Sequence, residues 1–323
     1  MISIARLAAS ALVLALAPMA SNAQPYPRKP VKIIVAFAQG TATDILARLV
    51  AEQLGKSLGQ PFLVENRAGA GGIIGTEFAA KAAPDGYTLT MAPSGPFGSN
   101  PGVYAKLPYD AIKDFEPISN IALTPQTFVV GPQTKFRTLK DLVAAAKAAP
   151  GSIAAGSLGT GATSHLALLY FQSVAGIALN HIPFKGSSEA HTQLIGGNIP
   201  MMSDALPGVR AQIQAGRLAA LGIASLKRSP FMPDIPTFAE QGYPGFEAVG
   251  WIGLAAPAGT PDAILDRLNA ELVKMAGDPA VKEKLDSLAF VPAVGTRQEF
   301  AAFIRAEITK WTKVAKDAGV KLE

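Results

Sequence analysis

No cysteine occurs among the 323 residues of this chain. That excludes disulfides, a thiol nucleophile and anchoring through a lipidated cysteine, so an exported form must rely on its core. Histidine is scarce too: His165, His181 and His191 have spacings that suit no zinc motif, and H-E-x-x-H does not occur. Hydrolase chemistry lacks its G-x-S-x-G turn. Nucleotide signatures fail on spacing, since Gly69-x-Gly71-x-x is followed by Ile74 and the run Gly156 to Ser164 has no P-loop lysine. Charged residues make up only 16% of the chain, and its one-sign excess of +5 is scattered. Arg28-Lys29 and Lys227-Arg228 are the only adjacent basic pairs, so no stripe suits a phosphate backbone and no nucleic-acid partner is expected.

Long apolar runs are missing as well. Leu7 to Ala17 is about 11 residues, against the roughly 20 that a membrane span needs. Arg6 precedes it, and Ser21-Asn22-Ala23 follows as a small-x-small cleavage site, so residues 1–23 read as a secretory signal and the periplasm as the destination. Without Arg6, 28 basic residues face 24 acidic ones. The remainder of about 300 residues exceeds what one core usually serves, which favours two domains.

What is present is a regular alternation of apolar runs and helical patterns. Val31 to Ala38 reads as a buried strand, Asp44 to Leu58 as a helix with Ile45, Leu49 and Leu54 on one face, and Phe62 to Glu65 as the next strand. Gly69-Ala70-Gly71-Gly72 turns into a helix up to Ala83, and Thr88 to Ala92 follows the Asp85-Gly86 turn as a third strand. Short right-handed crossovers make such a βαβαβ unit a parallel sheet. The grammar repeats with Leu139 to Ala149 and Ser164 to Val174 helical, and Ile153 to Ser157 and Leu179 to Phe184 extended. Leu123-Thr124-Pro125-Gln126 and Gly242-Tyr243-Pro244-Gly245 carry turn residues and are the expected crossings. Residues 24–124 and 246–323 then form one lobe and 125–245 the other, with Phe300, Phe303, Ile304, Ile308 and Trp311 of the last helix facing the first lobe.

Two loops match in kind: Ala38 to Asp44, and Gly156 to His165. Each leaves a strand and opens a helix, where unpaired N–H groups and the helix dipole bind an anion without a charged side chain. The competing reading is plain capping by Thr43, Asp44, Thr163 or Ser164. No arginine or lysine lies within either loop. Asp44 is expected to position the first loop, either by accepting from backbone N–H groups of its own first helical turn or through ordered water. Phe97 forms an aromatic wall with Phe37, favouring an aromatic or longer dicarboxylate, or packs under its own loop.

Several ordered motifs carry a resemblance that covers the whole mature chain. They are Tyr26-Pro27-x-Lys29-Pro30-Val31, Val64-Glu65-Asn66-Arg67-x-Gly69-Ala70-Gly71-Gly72, Ala83-Pro84-Asp85-Gly86-Tyr87-Thr88-Leu89, Leu107-Pro108-Tyr109-Asp110, Lys227-Arg228-Ser229-Pro230, Pro233-Asp234-Ile235-Pro236-Thr237 and Ala256-Pro257-Ala258-Gly259-Thr260-Pro261. With them the chain resembles the solute receptors of tripartite tricarboxylate transporters, the Bug-type periplasmic binding proteins. The resemblance implies an α/β, two-lobed Venus flytrap with a mostly parallel sheet in each lobe and a two-strand hinge. It implies a small mono-, di- or tricarboxylate ligand, a membrane permease as partner, no cofactor, no metal and no catalysis. Carried over by position, the ligand contacts are Phe37, Gln39, Thr41, Asp44, Ser94 and Asn100 from one lobe, and Thr160, Thr163, Ser164, His165 and Asp204 from the other. The chain departs from the family where Ala36-Phe37-Ala38-Gln39-Gly40-Thr41 replaces Pro-Phe-Ala-Pro-Gly-Gly. The alternatives are a receptor that serves a membrane sensor and, in another class, a periplasmic hydrolase.

Overall fold

The computed structural model describes residues 26–317, so the expected signal at 1–23 lies outside the described residues. Among the described residues, no helix is long and apolar enough to cross a membrane.

The first lobe starts with β1 (Val31–Val35), α1 (Ala42–Leu58), β2 (Phe62–Asn66), α2 (Ile73–Ala80) and β3 (Thr88–Pro93). β1 pairs in parallel with both β2 and β3. β1 ends three residues earlier than its apolar run suggests, because Ala36 to Gly40 leave the sheet as a loop and Gly40 takes a positive φ of 81°. After β3 a π-turn (Gly95–Ser99) runs into the short α3 (Asn100–Val103).

β4 (Phe115–Val130) is a single strand of 16 residues that serves both lobes. The second lobe adds α4 (Leu139–Ala148), β5 (Ala154–Ser157), α5 (Thr163–Ala175), β6 (Asn180–Pro183), α6 (Ser187–Ile195), β7 (Met201–Ala205), α7 (Leu206–Gln214) and β8 (Ala219–Ile223). β5 pairs in parallel with β6 and β7. The chain returns through β9 (Val249–Pro257), α8 (Asp262–Gly277), α9 (Pro279–Ser287), β10 (Val291–Pro292) and α10 (Arg297–Asp317).

Residues 115–125 of β4 pair with β9, whereas 126–130 pair with β7 and β8. The segment Leu123-Thr124-Pro125-Gln126, expected as a turn, therefore lies inside a strand. Pro125 lacks a donor for the ladder yet stays in register with Val249, and the register shifts lie earlier in the strand, at Pro117/Ser119 and Asn120/Ala122. The sheets are mixed rather than mostly parallel: β3–β9, β9–β4, β4–β7 and β4–β8 are all antiparallel. A chain that leaves one lobe along β4 and re-enters it along β9 must run these two strands in opposite directions.

In the first lobe Ile33 of β1, Leu46, Val50 and Leu54 of α1, and Leu265, Leu268 and Leu272 of α8 share one buried core. In the second, Phe171 meets Phe128 at 5.3 Å and Phe238 at 5.2 Å, both edge to face. α10 joins two cores, as Phe300 and Ile304 pack with Trp251 and Phe97, while Trp311 and Ala315 pack with Leu166 and Phe171. Phe97 lies under its loop, 4.7 Å from Phe115 and fully buried, so it forms no cavity wall.

Phe171 is fully buried at the centre of four aromatic rings. Phe171→Ala leaves a cavity that these rings cannot refill and is expected to cost roughly 3–5 kcal/mol. Urea denaturation measures this as a lowered midpoint.

Candidate functional site

The first loop is held by its own helix. Thr41 is the N-cap of α1: its Oγ1 accepts from Asp44 N at 3.4 Å and donates to the Ala38 carbonyl at 3.0 Å. Asp44 Oδ2 accepts from Gly40 N at 3.0 Å and Arg48 Nε at 3.1 Å, and its Oδ1 accepts from Arg48 Nη2 at 2.9 Å and Asn66 Nδ2 at 3.0 Å. Burial alone would raise the Asp44 pKa, but the bonds from Arg48, Gly40 and Asn66 outweigh it and hold the carboxyl below its ordinary value. Asp44 therefore braces the loop through a backbone bond from Gly40, ahead of the helix, rather than from its own first helical turn as expected, with Arg48 as an added partner one helical turn on. Asp44 N–H and Ile45 N–H find Thr41 as acceptor, which leaves those of Ala42 and Thr43 as the open donors of the first turn.

In the second lobe α5 begins without a side-chain cap. Leu166 N–H bonds Ala162 O, so the N–H groups of Thr163 and Ser164 remain open. The side chains around this start brace the loop instead. Ser164 Oγ accepts from Leu158 N at 3.0 Å, and His165 Nδ1 accepts from Gly161 N at 3.1 Å. The His165 ring stacks on His181 at 3.8 Å, and His181 Nε2 lies 2.6 Å from Ser157 Oγ. Burial pushes the His165 pKa down to about 3, with His181 adding to it, and burial pushes that of His181 to about 4. Both imidazoles are thus neutral, as the acceptor role of Nδ1 requires.

A third helix, α7, also starts without a side-chain cap, directly after Asp204. Asp204 is fully buried and satisfied locally: Oδ2 accepts from Ser187 Oγ at 2.7 Å, Oδ1 accepts from Ala205 N at 2.7 Å, and His191 Nε2 lies 3.3 Å away.

These three helix starts surround one cavity of about 50 Å³. Phe37, Thr41, Ser94, Thr163, Ser164 and Asp204 line it among the residues singled out from the sequence. Gln39, Asp44, Asn100, Thr160 and His165 do not. Gln39 is exposed on the outer side of its loop, and Asp44 is consumed by the four bonds above. Asn100 is buried against the second lobe, where a Cβ on Gly161 would sit 2.8 Å from its Oδ1. Thr160 turns its carbonyl to Tyr104 Oη at 3.1 Å, and His165 braces Gly161. The structure adds residues without a sequence signal of their own, namely Thr124 and Gln126 of β4 and Trp251 and Ile252 of β9. Gln126 Oε1 accepts from Ser203 Oγ at 3.4 Å, which turns its amide N–H₂ toward other partners. No lysine or arginine lines this cavity. An outer cavity of about 240 Å³ shares Phe37 and Leu158 with it and is bordered by Gly69 to Gly72, Gly159, Thr160, Phe184 and Lys185, so Thr160 lines the outer space rather than the inner one.

The lobes meet across this site. Ser94 Oγ and Thr163 Oγ1 are 2.7 Å apart, and Tyr104 Oη donates to Thr160 O. Gly71 presses so closely on the second lobe that a Cβ there would lie 1.9 Å from Thr160 O, in a backbone with φ of +60°. The lobes are therefore closed against each other here, and the cavity between them is lined by main-chain donors, hydroxyls, one amide, the Asp204 carboxylate and apolar walls.

Residues 46–320 match the model of the tripartite tricarboxylate transporter family receptor. Protein BugT of Bordetella pertussis is 39% identical over 303 residues, which cover 94% of this chain and 93% of that protein. A solved R. palustris protein with adipate is similar at 33% identity and a TM-score of 0.89, covering 92% of this chain and 99% of its own. MatC from Rhodopseudomonas palustris with bound malate is similar at 31% identity and a TM-score of 0.85, covering 90% of this chain and 99% of its own.

Two outcomes follow from this geometry. Gly71→Ala should hold the lobes apart, seen as a larger radius of gyration in small-angle scattering; a particle as compact as the parent would show that the Gly71–Thr160 approach does not govern closure. Asp44 has a folded pKa below its unfolded one, so its stabilisation is present above the ordinary aspartate value of about 3.9 and is lost as pH falls through the lower folded value. Asp44→Asn should therefore show a shallower fall in urea midpoint than the parent as the pH is lowered from about 5 into the range below that aspartate value.

Proposed function

We propose, from the premise that this chain belongs to the tripartite tricarboxylate transporter receptor family, that it captures a small organic carboxylate between its lobes in the periplasm and presents it to a membrane permease. The observation that carries this reading is the convergence of three helix starts, two of them without a side-chain cap, on a cavity that no cationic side chain lines. Main-chain N–H groups and the positive ends of helix dipoles stabilise an anion there, and exclusion of water strengthens the effect. We assign the carboxylate to the open N–H groups of Ala42, Thr43, Thr163 and Ser164, with Thr41, Ser94 and Gln126 as polar neighbours and Phe37, Leu158 and Trp251 around the carbon skeleton. The division expected from the sequence, residues 24–124 with 246–323 against 125–245, is supported within the described residues by the change of partners along β4 at Pro125/Gln126.

Receptor action requires binding without turnover. Ser157 and His181 are the one serine–histidine contact among the described hydrogen bonds, but Ser157 is fully buried and lines neither cavity. Relatives bind acids of different length, adipate in one solved structure and malate in another. Here the inner cavity contains Asp204 as its only charged lining residue, which disfavours a second carboxylate inside. Lys185 in the outer cavity is the one cation bordering either space, so the longer dicarboxylate, reaching past Phe37 and Leu158, is the better match.

A thermal-shift and calorimetric series with citrate, malate, adipate, terephthalate and hexanoate tests both levels. At 100 times the dissociation constant a ligand adds about 2.7 kcal/mol of stability, so binding is visible as a raised melting temperature. Adipate is expected to bind and to be recovered unchanged; no response to any acid, or a product from one, would sink the receptor reading. Lys185→Ala should weaken adipate and leave hexanoate unaltered, and equal effects on both would remove the length preference alone.

A further inference from the structure

The chain has only two tryptophans, Trp251 and Trp311, and both bond the same carboxylate oxygen. Glu307 Oε2 accepts from Trp251 Nε1 at 3.3 Å and from Trp311 Nε1 at 3.1 Å, while Oε1 meets Lys310 Nζ at 3.3 Å. Glu307 is buried, 8% exposed. A carboxylate in such a place must have its oxygens satisfied, and charge-assisted bonds to two indoles do this while fixing both ring orientations.

The two indoles stand in different parts of the molecule. Trp251 belongs to the returning strand β9 and lines the inner cavity. Trp311 lies near the end of α10 and borders a small apolar space with Val103 of α3, Leu166, Leu169 and Tyr170 of α5, and Val314 and Ala315 of its own helix. α5 is the second-lobe helix whose start faces the cavity, whereas α10 is fixed to the first lobe through Phe300 and Ile304. The last turns of α10 therefore reach across the seam onto the element that must move when the lobes part.

We propose that Glu307 is a positioning residue that couples the ligand cavity to a latch formed by the end of α10 on α5. This rests on the assignment of the inner cavity as the ligand site. The carboxylate holds the Trp251 ring as cavity wall and the Trp311 ring as the apolar plug of the latch, so closing on a ligand and seating the plug are one event. Removing it frees both rings, loosens the closed form and speeds ligand release. Among the described residues the indole N–H of Trp311 meets no other acceptor, which makes its orientation depend on Glu307.

The test uses the full mature chain and adipate. Emission is followed during titration in the parent and in Trp311→Phe, and the difference between the two isolates the Trp311 signal while the Trp251–Glu307 bond stays intact. That signal is expected to respond to adipate although Trp311 lines no part of the ligand cavity. Glu307→Ala should weaken adipate roughly tenfold, about the worth of one charge-assisted hydrogen bond, chiefly through faster release. Glu307→Gln, which keeps the shape and an acceptor, should fall between it and the parent. Small-angle scattering without ligand supplies an independent arm, in which Glu307→Ala should be more open than the parent. A silent Trp311 in a protein that calorimetry shows to bind adipate would overturn the coupling, as would affinity within twofold of the parent in Glu307→Ala. If no acid binds the parent, the receptor reading fails and the scattering arm decides the latch: equal compactness of parent and Glu307→Ala would refute it.

Discussion

The N–H groups that open three helices converge at the place where the two lobes meet, and two of those helices, α5 and α7, have no side-chain cap. Some other helix starts among the described residues avoid that state. Thr138 caps α4 in a reciprocal box with Asp141, and Asp278 caps α9. A donor with no partner in an enclosed space is costly, so α5 and α7 are each locally less stable than they need be. Their deficit is removed when an anion fills the chamber. The sacrifice of ordinary capping thus links the closed arrangement to occupancy, and the small residues along the seam, Gly71 and Gly159 above all, let the main chains approach closely enough for both lobes to contribute.

The rest of the site keeps those donors in place. Asp44, Arg48 and Asn66 spend their polar groups on the first loop, and His165 and Ser164 spend theirs on the second. Their work is geometric. The unusual Ala38-Gln39-Gly40-Thr41 sequence retains a defined loop because Thr41 bonds both ahead to Asp44 and back to Ala38, which replaces stiffness from proline with stiffness from hydrogen bonds.

Much of this was legible in the sequence, because the signals are local. A strand that breaks at glycine and restarts as a helix is recognisable from ten residues, and both principal loops were found that way, with Thr41, Thr163 and Ser164 among the cavity residues. Which side chain of a loop faces inward is a different matter, set by φ/ψ at single positions, so Gln39 was expected inside and stands outside. The contribution of the connecting strands was not legible at all. Thr124-Pro125-Gln126 has the composition of a turn, and only pairing with residues more than a hundred positions away makes it a strand whose polar side chains floor the cavity. The same holds for Trp251 and Glu307, 56 residues apart in sequence and joined only by the packing of α10.

The interleaved chain path also bears on how the protein is made. β9 lies between β3 and β4, so the sheet of the first lobe has a gap at its centre until residues 249–257 arrive. A chain delivered from its N-terminus supplies all the second-lobe strands before it supplies that one. The lobe that begins first is completed last, and until then the edges of β3 and β4 present unpaired main-chain groups with no strand to cover them. A nascent molecule interrupted anywhere before β9 is accordingly two incomplete half-sheets rather than one finished domain with a tail, and its vulnerability to aggregation or proteolysis ends only with the final quarter of the sequence.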